Sequence, residues 1–479
     1  MPALLRAESV PRCRGCARNQ RCVNVGGVIA LFAASLAASL HLAPCKIAGA
    51  SARCGTFDVR ESPRSSRTLP LKVIVFAARE HNDSAVFPFS GGPGIATTPG
   101  AEDEVKIFGA ELRRHDVVLV DQRGTGGSAP LRCPHAQKKH TRELIEGELF
   151  PLPFVTDCRR EIEKHSDLTA YGTAQFTDDV DALRRALGYG AIDIVGISYG
   201  TRSALTFLAR YPQSVRTLLL EGPLPPENAM PLNAGRDAQS VLDRIVADCK
   251  TEPACAAAFP NIAGDLARTL AALDAKPARF DAGEYHITMR RGAFGEFLRS
   301  QMYAADRQRL IPQMLHLAAA GDWSWIGPYW LRYLKGWYDD IGAFLSVSCP
   351  ADVRSIDASA IPAATANTFL GDYRVRRQIA ACNAWAPGRA ARVTIPATDV
   401  PVLIITGDRD PVTPPRWAEL LQSHLKRART IVFANNGHTE PSDCAVVLEV
   451  AFFDAGSFDR LDGSCATTIP RPPFVTKLP

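Results

Sequence analysis

Ser198 sits in Gly196-Ile-Ser-Tyr-Gly200, a serine with glycine two positions away on either side. A serine hydroxyl is a poor nucleophile until a neighbouring base takes its proton, and an imidazole does so best when a carboxylate fixes its tautomer. Two later segments supply those groups. Ile404-Ile-Thr-Gly-Asp408-Arg-Asp410-Pro places two acids just past an apolar run, and Asn435-Asn-Gly-His438 places a histidine just past the next one. Asp408 and Asp410 compete for the carboxylate role. The Asp410-Pro411 step and the Thr413-Pro414 helix start favour Asp410 as the residue held at the turn. Ser198 as nucleophile, His438 as base and then acid, and Asp410 as orienting carboxylate would perform acyl transfer through a covalent acyl-enzyme.

Acyl transfer also needs N–H groups aimed at the tetrahedral oxyanion, and a glycine-rich loop lets the backbone come that close. Ser90-Gly-Gly-Pro-Gly94 follows an apolar run directly, so the N–H groups of Gly92 and Tyr199 are assigned as the oxyanion hole. No H-E-x-x-H or comparable ligand set is present, and Cys13, Cys16 and Cys22 lack a fourth ligand; neither a metal nor another cofactor is expected.

Such residues must be carried by strands that end in tight turns. The runs 71–76, 85–89, 116–120, 191–195, 215–220, 402–405 and 430–433 are the candidates, several of them continuous Val/Ile/Leu stretches of the kind buried parallel strands require. Phe176, Val180, Leu183 and Leu187 recur at helical spacing, and this helix ends at Gly188 and leads into the 191–195 strand. The 191–195 strand, the elbow at Ser198 and the helical run 202–210 then give strand, turn and helix in succession. The alternation predicts an α/β fold with a mostly parallel sheet flanked by helices. Between 223 and 396 the strand signal fades. That stretch is read as a helical cap inserted after the sixth strand, its aromatics Trp323, Trp325, Tyr329, Trp330, Tyr333 and Trp337 forming the cap core or, alternatively, lining a cleft.

With 46% hydrophobic and 22% charged residues over 479 positions, disorder, collagen and multi-span membrane architectures are excluded. The net charge of +5 belongs to the first 52 residues, where Arg6, Arg12, Arg14, Arg18, Arg21 and Lys46 face Glu8 alone; acidic and basic residues balance elsewhere, which leaves no nucleic-acid footprint. Residues 1–52 read as a signal peptide with cleavage before Arg53 at Ala50-Ser-Ala52, the alternative being an uncleaved anchor. Of 13 cysteines, nine follow residue 52, and sequential neighbours suggest bridges 133/158, 249/255, 349/382 and 444/465 with Cys54 left over. If Cys45 were retained, a 45/54 bridge would become possible. This cysteine usage fits a secreted, periplasmic or cell-envelope protein with no stable membrane span once the leader is removed.

Gly91-Gly-Pro-Gly94, Asp121-Gln-Arg-Gly-Thr-Gly126, Gly196-Ile-Ser-Tyr-Gly200 and Gly407-x-x-Asp410-Pro-Val-Thr-Pro414, in this order, resemble the prolyl and tripeptidyl aminopeptidase branch of the α/β-hydrolases. The resemblance covers roughly 54–465, and the C-terminal part looks like the tripeptidyl-aminopeptidase-like region. It implies hydrolase core at 53–222 and 397–479, a cap at 223–396 between them, and a serine exopeptidase acting on peptide substrates with a free N-terminus. One departure is Ser90, where the family often has histidine, which puts the loop's hydrogen bonding in question. Asp121 and Arg123 are expected to brace that loop as an ion pair. The substrate ammonium would need an anion, for which Glu221 and Asp352 are candidates. A carboxylesterase on the same fold is the rival activity, and a non-catalytic binding protein the rival from another class.

Overall fold

Residues 39–477 are described by the computed structural model, apart from 81–83, 108, 110–112, 336–339, 386–387 and 389. The arginines of the leader and Trp337 lie outside the described residues.

Continuous apolar runs become strands that are covered on both faces. β1 (Ser39–Ile47), β2 (Ala50–Arg60), β3 (Thr68–Phe76), β4 (Ala85–Phe89), β5 (Asp116–Val120), β6 (Ile192–Ile197) and β7 (Val215–Glu221) precede the cap region. β8 (Ala278–Ala282) and β9 (Tyr285–Met289) lie within it, and β10 (Val402–Gly407) and β11 (Ala428–Phe433) follow it. Nine of them form one sheet in the order β1-β2-β3-β5-β4-β6-β7-β10-β11. β1 to β3 and the β3–β5 pair are antiparallel, and every pairing from β5 to β11 is parallel. All five residues of β4 and all six of β10 are buried, as a doubly covered parallel sheet demands.

The expected boundary at residue 53 does not match this arrangement. Residues 39–47 pair with 50–58 as a hairpin on the sheet edge, with Cys45 bonded to Cys54, so cleavage before Arg53 would remove β1 and break the bridge. Apolar residues in alternation on a half-covered edge strand look, in sequence, like the apolar segment of a leader. The other four disulfides are 133–158, 249–255, 349–382 and 444–465.

Helices from Ala234 to Trp385 occupy the stretch between β7 and β10. The strand before them is seventh in chain order, not sixth: the N-terminal hairpin places two strands ahead of the five candidate runs that end with 215–220. The region also contains the hairpin β8–β9, where Phe280, Ala282, Ile287 and Met289 alternate with polar residues around a turn at Gly283. A second excursion, residues 131–170 between β5 and β6, packs against these helices. Arg377 Nε donates to the Leu149 carbonyl at 2.7 Å, Trp330 Nε1 to that of Ile145 at 3.0 Å, and Leu149 N–H to Tyr373 Oη at 2.9 Å. Trp330 is 1% exposed and belongs to the packed interior of the cap, whereas Tyr333 reaches the central cavity.

Candidate active site

β6 delivers Ser198 to a turn too tight for side chains on either flank. A Cβ on Gly196 would stand 2.7 Å from Thr201 Cα, and one on Gly200 1.8 Å from the Phe89 carbonyl oxygen. Ser198 takes φ 54° and ψ −119°, a sparsely populated conformation that lifts its side chain off the sheet. The turn is fixed from below: Ser198 N–H donates to the Glu221 carbonyl at 2.8 Å, and Thr201 Oγ1 donates to the Ser198 carbonyl at 2.6 Å.

The structure brings His438 and Asp410 to this serine. His438 Nε2 lies 2.9 Å from Ser198 Oγ, and its Nδ1 lies 2.7 Å from Asp410 Oδ2. An ionised carboxylate only accepts, so Nδ1 carries the proton and Nε2 is left with a lone pair toward the hydroxyl. Asp410 is fully buried. Val412 N–H and Thr413 N–H donate to its Oδ1 at 2.7 and 2.8 Å, and Thr413 Oγ1 donates to Oδ2 at 2.7 Å, so its orientation is fully determined. Asp408 points elsewhere and pairs with Arg244 at 2.7 Å. Between them, Arg409 donates from Nε to Asn435 Oδ1 at 3.1 Å, which ties the acid loop to the histidine loop.

The glycine loop packs directly on the nucleophile. A Cβ on Gly91 would lie 2.9 Å from Ser198 Cβ, and Gly92, at φ 108°, lines the cavity beside it. Tyr199 opens the helix Tyr199–Arg210, so its N–H is among the donors a helix start leaves without an intrahelical partner. The side chain of Tyr199 is buried, with its Oη 3.2 Å from Thr173 Oγ1. Ser90, where the family often has histidine, hydrogen-bonds Thr97 Oγ1 at 2.9 Å and closes the loop on itself. The expected Asp121–Arg123 pair is not formed. Asp121 accepts from Thr98 N–H and Oγ1 and from Gly127 N–H, bracing the end of the loop, while Arg123 forks onto Asp179 at 2.6 and 2.7 Å.

Ser198 and His438 open onto a cavity of about 800 Å³ lined on its other side by cap residues. Neither proposed ammonium partner faces it. Glu221 contributes its carbonyl to the elbow and, instead of lining this cavity, lines a small cleft next to it with Thr406, Gly407 and Asn436. Asp352 is 1% exposed and bound to Arg202 Nη1 at 2.6 Å; burial pushes its carboxyl up, with Arg202 pulling the other way. A position near a strand end or beside a cap cysteine does not say which way an acid faces; that is decided by tertiary packing, which commits Asp352 to Arg202.

Sequence reasoning also missed the charged groups that do line the cavity: Asp237, Asp340, Glu440, Arg299, Arg307 and Arg374. Asp237 is held by Arg416 and by Trp417 Nε1 at 3.1 Å. Glu440 accepts from Ala305 N–H at 2.9 Å and from Gly437 N–H. Asp340 stands at the start of the helix Ile341–Ala351. Arg299 and Arg374 both donate to Glu296 Oε2, at 3.4 and 2.7 Å. Burial alone would raise the Glu296 carboxyl, but Arg374 and Arg299 outweigh it and hold it below the ordinary range. No motif marks these positions: five of them lie in the cap, whose helices carry no fixed spacing, and Glu440 follows the histidine loop. Among the described residues no group of three His, Cys, Asp or Glu is placed to hold a metal ion.

A serine elbow on a mostly parallel sheet, with acid and histidine on loops after the last two strands, defines the α/β-hydrolase architecture. The chain belongs to that family, whose model, described as alpha/beta hydrolase fold, matches residues 89–440. Among curated proteins it is similar to serine protease Hip1 of Mycobacterium tuberculosis, 30% identical over 208 residues, which covers 39% of this chain and 38% of that one. It is also similar to tripeptidyl aminopeptidase of Streptomyces lividans, 26% identical over 158 residues, covering 28% and 27%. The chain thus spans well under two thirds of these relatives' length. Proline iminopeptidase of Mycobacterium smegmatis, a solved structure, aligns over 84% of this chain and 98% of its own at 16% identity, with a TM-score of 0.37.

Proposed function

We propose that the chain is an exported serine peptidase, an aminopeptidase of prolyl or tripeptidyl type. The observation that carries the reading is the Ser198–His438–Asp410 relay, at 2.9 and 2.7 Å, opening beside the glycine loop into a capped cavity. In the proposed cycle Ser198 Oγ attacks the scissile carbonyl as His438 Nε2 takes its proton. The oxyanion is met by the N–H groups of Gly92 and Tyr199, and His438 then hands the proton to the leaving amine. A water, deprotonated by the same imidazole, releases the acyl group from Ser198. The relatives named serine protease and tripeptidyl aminopeptidase support peptide substrates. With Glu221 and Asp352 outside the cavity lining, Asp340 on the cap is the carboxylate assigned to the substrate ammonium. Export is supported by five disulfides, which persist in oxidising compartments.

The test is turnover of matched chromogenic peptides, free and N-acetylated, with a short-chain ester alongside and fluorophosphonate labelling of Ser198. Cleavage confined to the free-amine peptide, with Ser198→Ala abolishing both turnover and labelling, is the expected result. Ester hydrolysis alone would replace this reading with the carboxylesterase, and a folded protein that neither labels nor turns over would make it a binding protein.

A further inference from the structure

Three guanidiniums, those of Arg299, Arg307 and Arg374, lie on the cap side of the cavity. Arg299 and Arg374 are each 4% exposed and are pinned by Glu296, which itself lies behind the wall, against Gly147 and Trp330. Arg307 is exposed and makes no ion pair among the described residues. The acids that share the cavity are engaged or assigned: Asp237 by Arg416, Glu440 by two backbone N–H groups, and Asp340 by the proposed ammonium. One of the arginines stands close to the chemistry. Arg299 Nη1 donates to Tyr303 Oη at 3.1 Å, with its guanidinium 5.4 Å from the centre of that ring. The ring in turn meets the His438 imidazole edge to face at 5.3 Å. One tyrosine ring therefore separates a buried guanidinium from the base, a span that a residue at or next to the scissile bond reaches with its side chain.

We infer that this wall is a subsite for a substrate carboxylate, formed by Arg299, Arg307 and Arg374. Planar guanidiniums fork onto carboxylates, and two of these three are held in place before any ligand arrives, so little ordering is left for binding. The carboxylate comes either from an acidic side chain in the acyl part or from the free C-terminus of a short leaving peptide. The inference rests on Ser198 being the reacting centre.

Two pairs of free-amine peptides test it: Glu against Gln in the acyl part with a neutral chromogenic leaving group, and a leaving residue with a free carboxylate against the same residue amidated. The carboxylate member of one pair should win by tenfold or more in kcat/KM, and which pair does so identifies the source. Arg307→Gln, an exposed position, should shrink that ratio to threefold or less. Equal turnover within both pairs, or a ratio untouched by Arg307→Gln, overturns the subsite. Protection of Ser198 from fluorophosphonate by glutarate against glutaramide reads the same site without turnover. Glutarate should protect at a concentration at least tenfold lower, and equal protection likewise overturns the inference. Silence toward every peptide, with glutarate still preferred, would sink the peptidase reading alone.

Discussion

The N–H of His438 donates to the Tyr303 carbonyl at 2.7 Å, so the loop bearing the imidazole hangs from the cap as well as from the sheet. Glu440 strengthens the link by accepting from Ala305 N–H on the cap side and Gly437 N–H on the loop side. Loss of this clamp should displace the imidazole without removing it. Glu440→Ala is expected to lower kcat by about 10²-fold, the scale of a misplacement near 1 Å. Glu440→Gln, which still has one acceptor, should recover part of it. Steady-state kinetics of both variants, read as kcat against KM, checks this.

Two acids stand two residues apart, yet only one faces the histidine. Asp410→Asn keeps the shape but favours the wrong imidazole tautomer, and kcat should fall by about 10⁴-fold. Asp408→Asn gives up a partly exposed pair with Arg244 and should leave kcat within about twofold. Comparable losses in the two variants would contradict the assignment of the orienting acid.

At the opposite end of the strands, His115 Nδ1 lies 2.6 Å from Ser84 Oγ and its Nε2 3.1 Å from Asp454 Oδ1, with Asp193 at 4.0 Å and Arg216 bonded to Asp193. Arg113 and Arg114 reach Asp454 from outside. Ser84 and His115 are both buried and line none of the described cavities, so this Ser–His–Asp set is read as structural. Burial depresses the His115 pKa despite the pull of Asp193 and Asp454. The unfolded chain therefore takes up a proton first, at about pH 6.5, and the stability present above that pH is lost progressively as pH falls through the depressed value. Melting temperature followed from pH 7.5 to 5 should fall in the wild type, and His115→Gln should flatten the part of the slope that begins near pH 6.5.

The N-terminal hairpin makes a prediction about thiols. A protein starting at residue 39 should show no free cysteine under denaturing, non-reducing conditions. One starting at Arg53 should show Cys54 as a free thiol and a lower melting temperature, since it lacks an edge strand and a disulfide whose loss alone typically costs about 2–5 kcal/mol. Thiol titration and thermal melts of the two proteins decide it.

What the sequence disclosed follows from what is local. β4, β6 and β10 are continuous apolar runs bounded by turns, and Ser198, Asp410 and His438 sit at the ends of such runs, so strand, turn and reactive residue are read together. What depended on packing was hidden. The Arg202–Asp352 pair joins residues 150 positions apart, and nothing near either one announces the other. Arg123 looked toward Asp121 by proximity in sequence but found Asp179 in space. The strand at 39–47 overlaps the expected leader because an apolar edge strand and an apolar leader are written with the same residues. Arg299, Arg307 and Arg374 became visible only when three separate helices were brought around one cavity.

The bonds from Arg377, Trp330 and Tyr373 to residues 145–150 bear on how this cap could be exchanged. A chimera that transplants 223–396 onto another hydrolase sheet would arrive without the carbonyls that Arg377 and Trp330 grip and without the Leu149 N–H that Tyr373 Oη accepts, leaving buried polar groups unanswered. The portable unit is discontinuous: two stretches of chain, 131–170 and 223–396, that must travel as a set. Families that diversify by swapping caps would here have to change both halves at once, which ties the specificity of the cleft to a segment that never touches it.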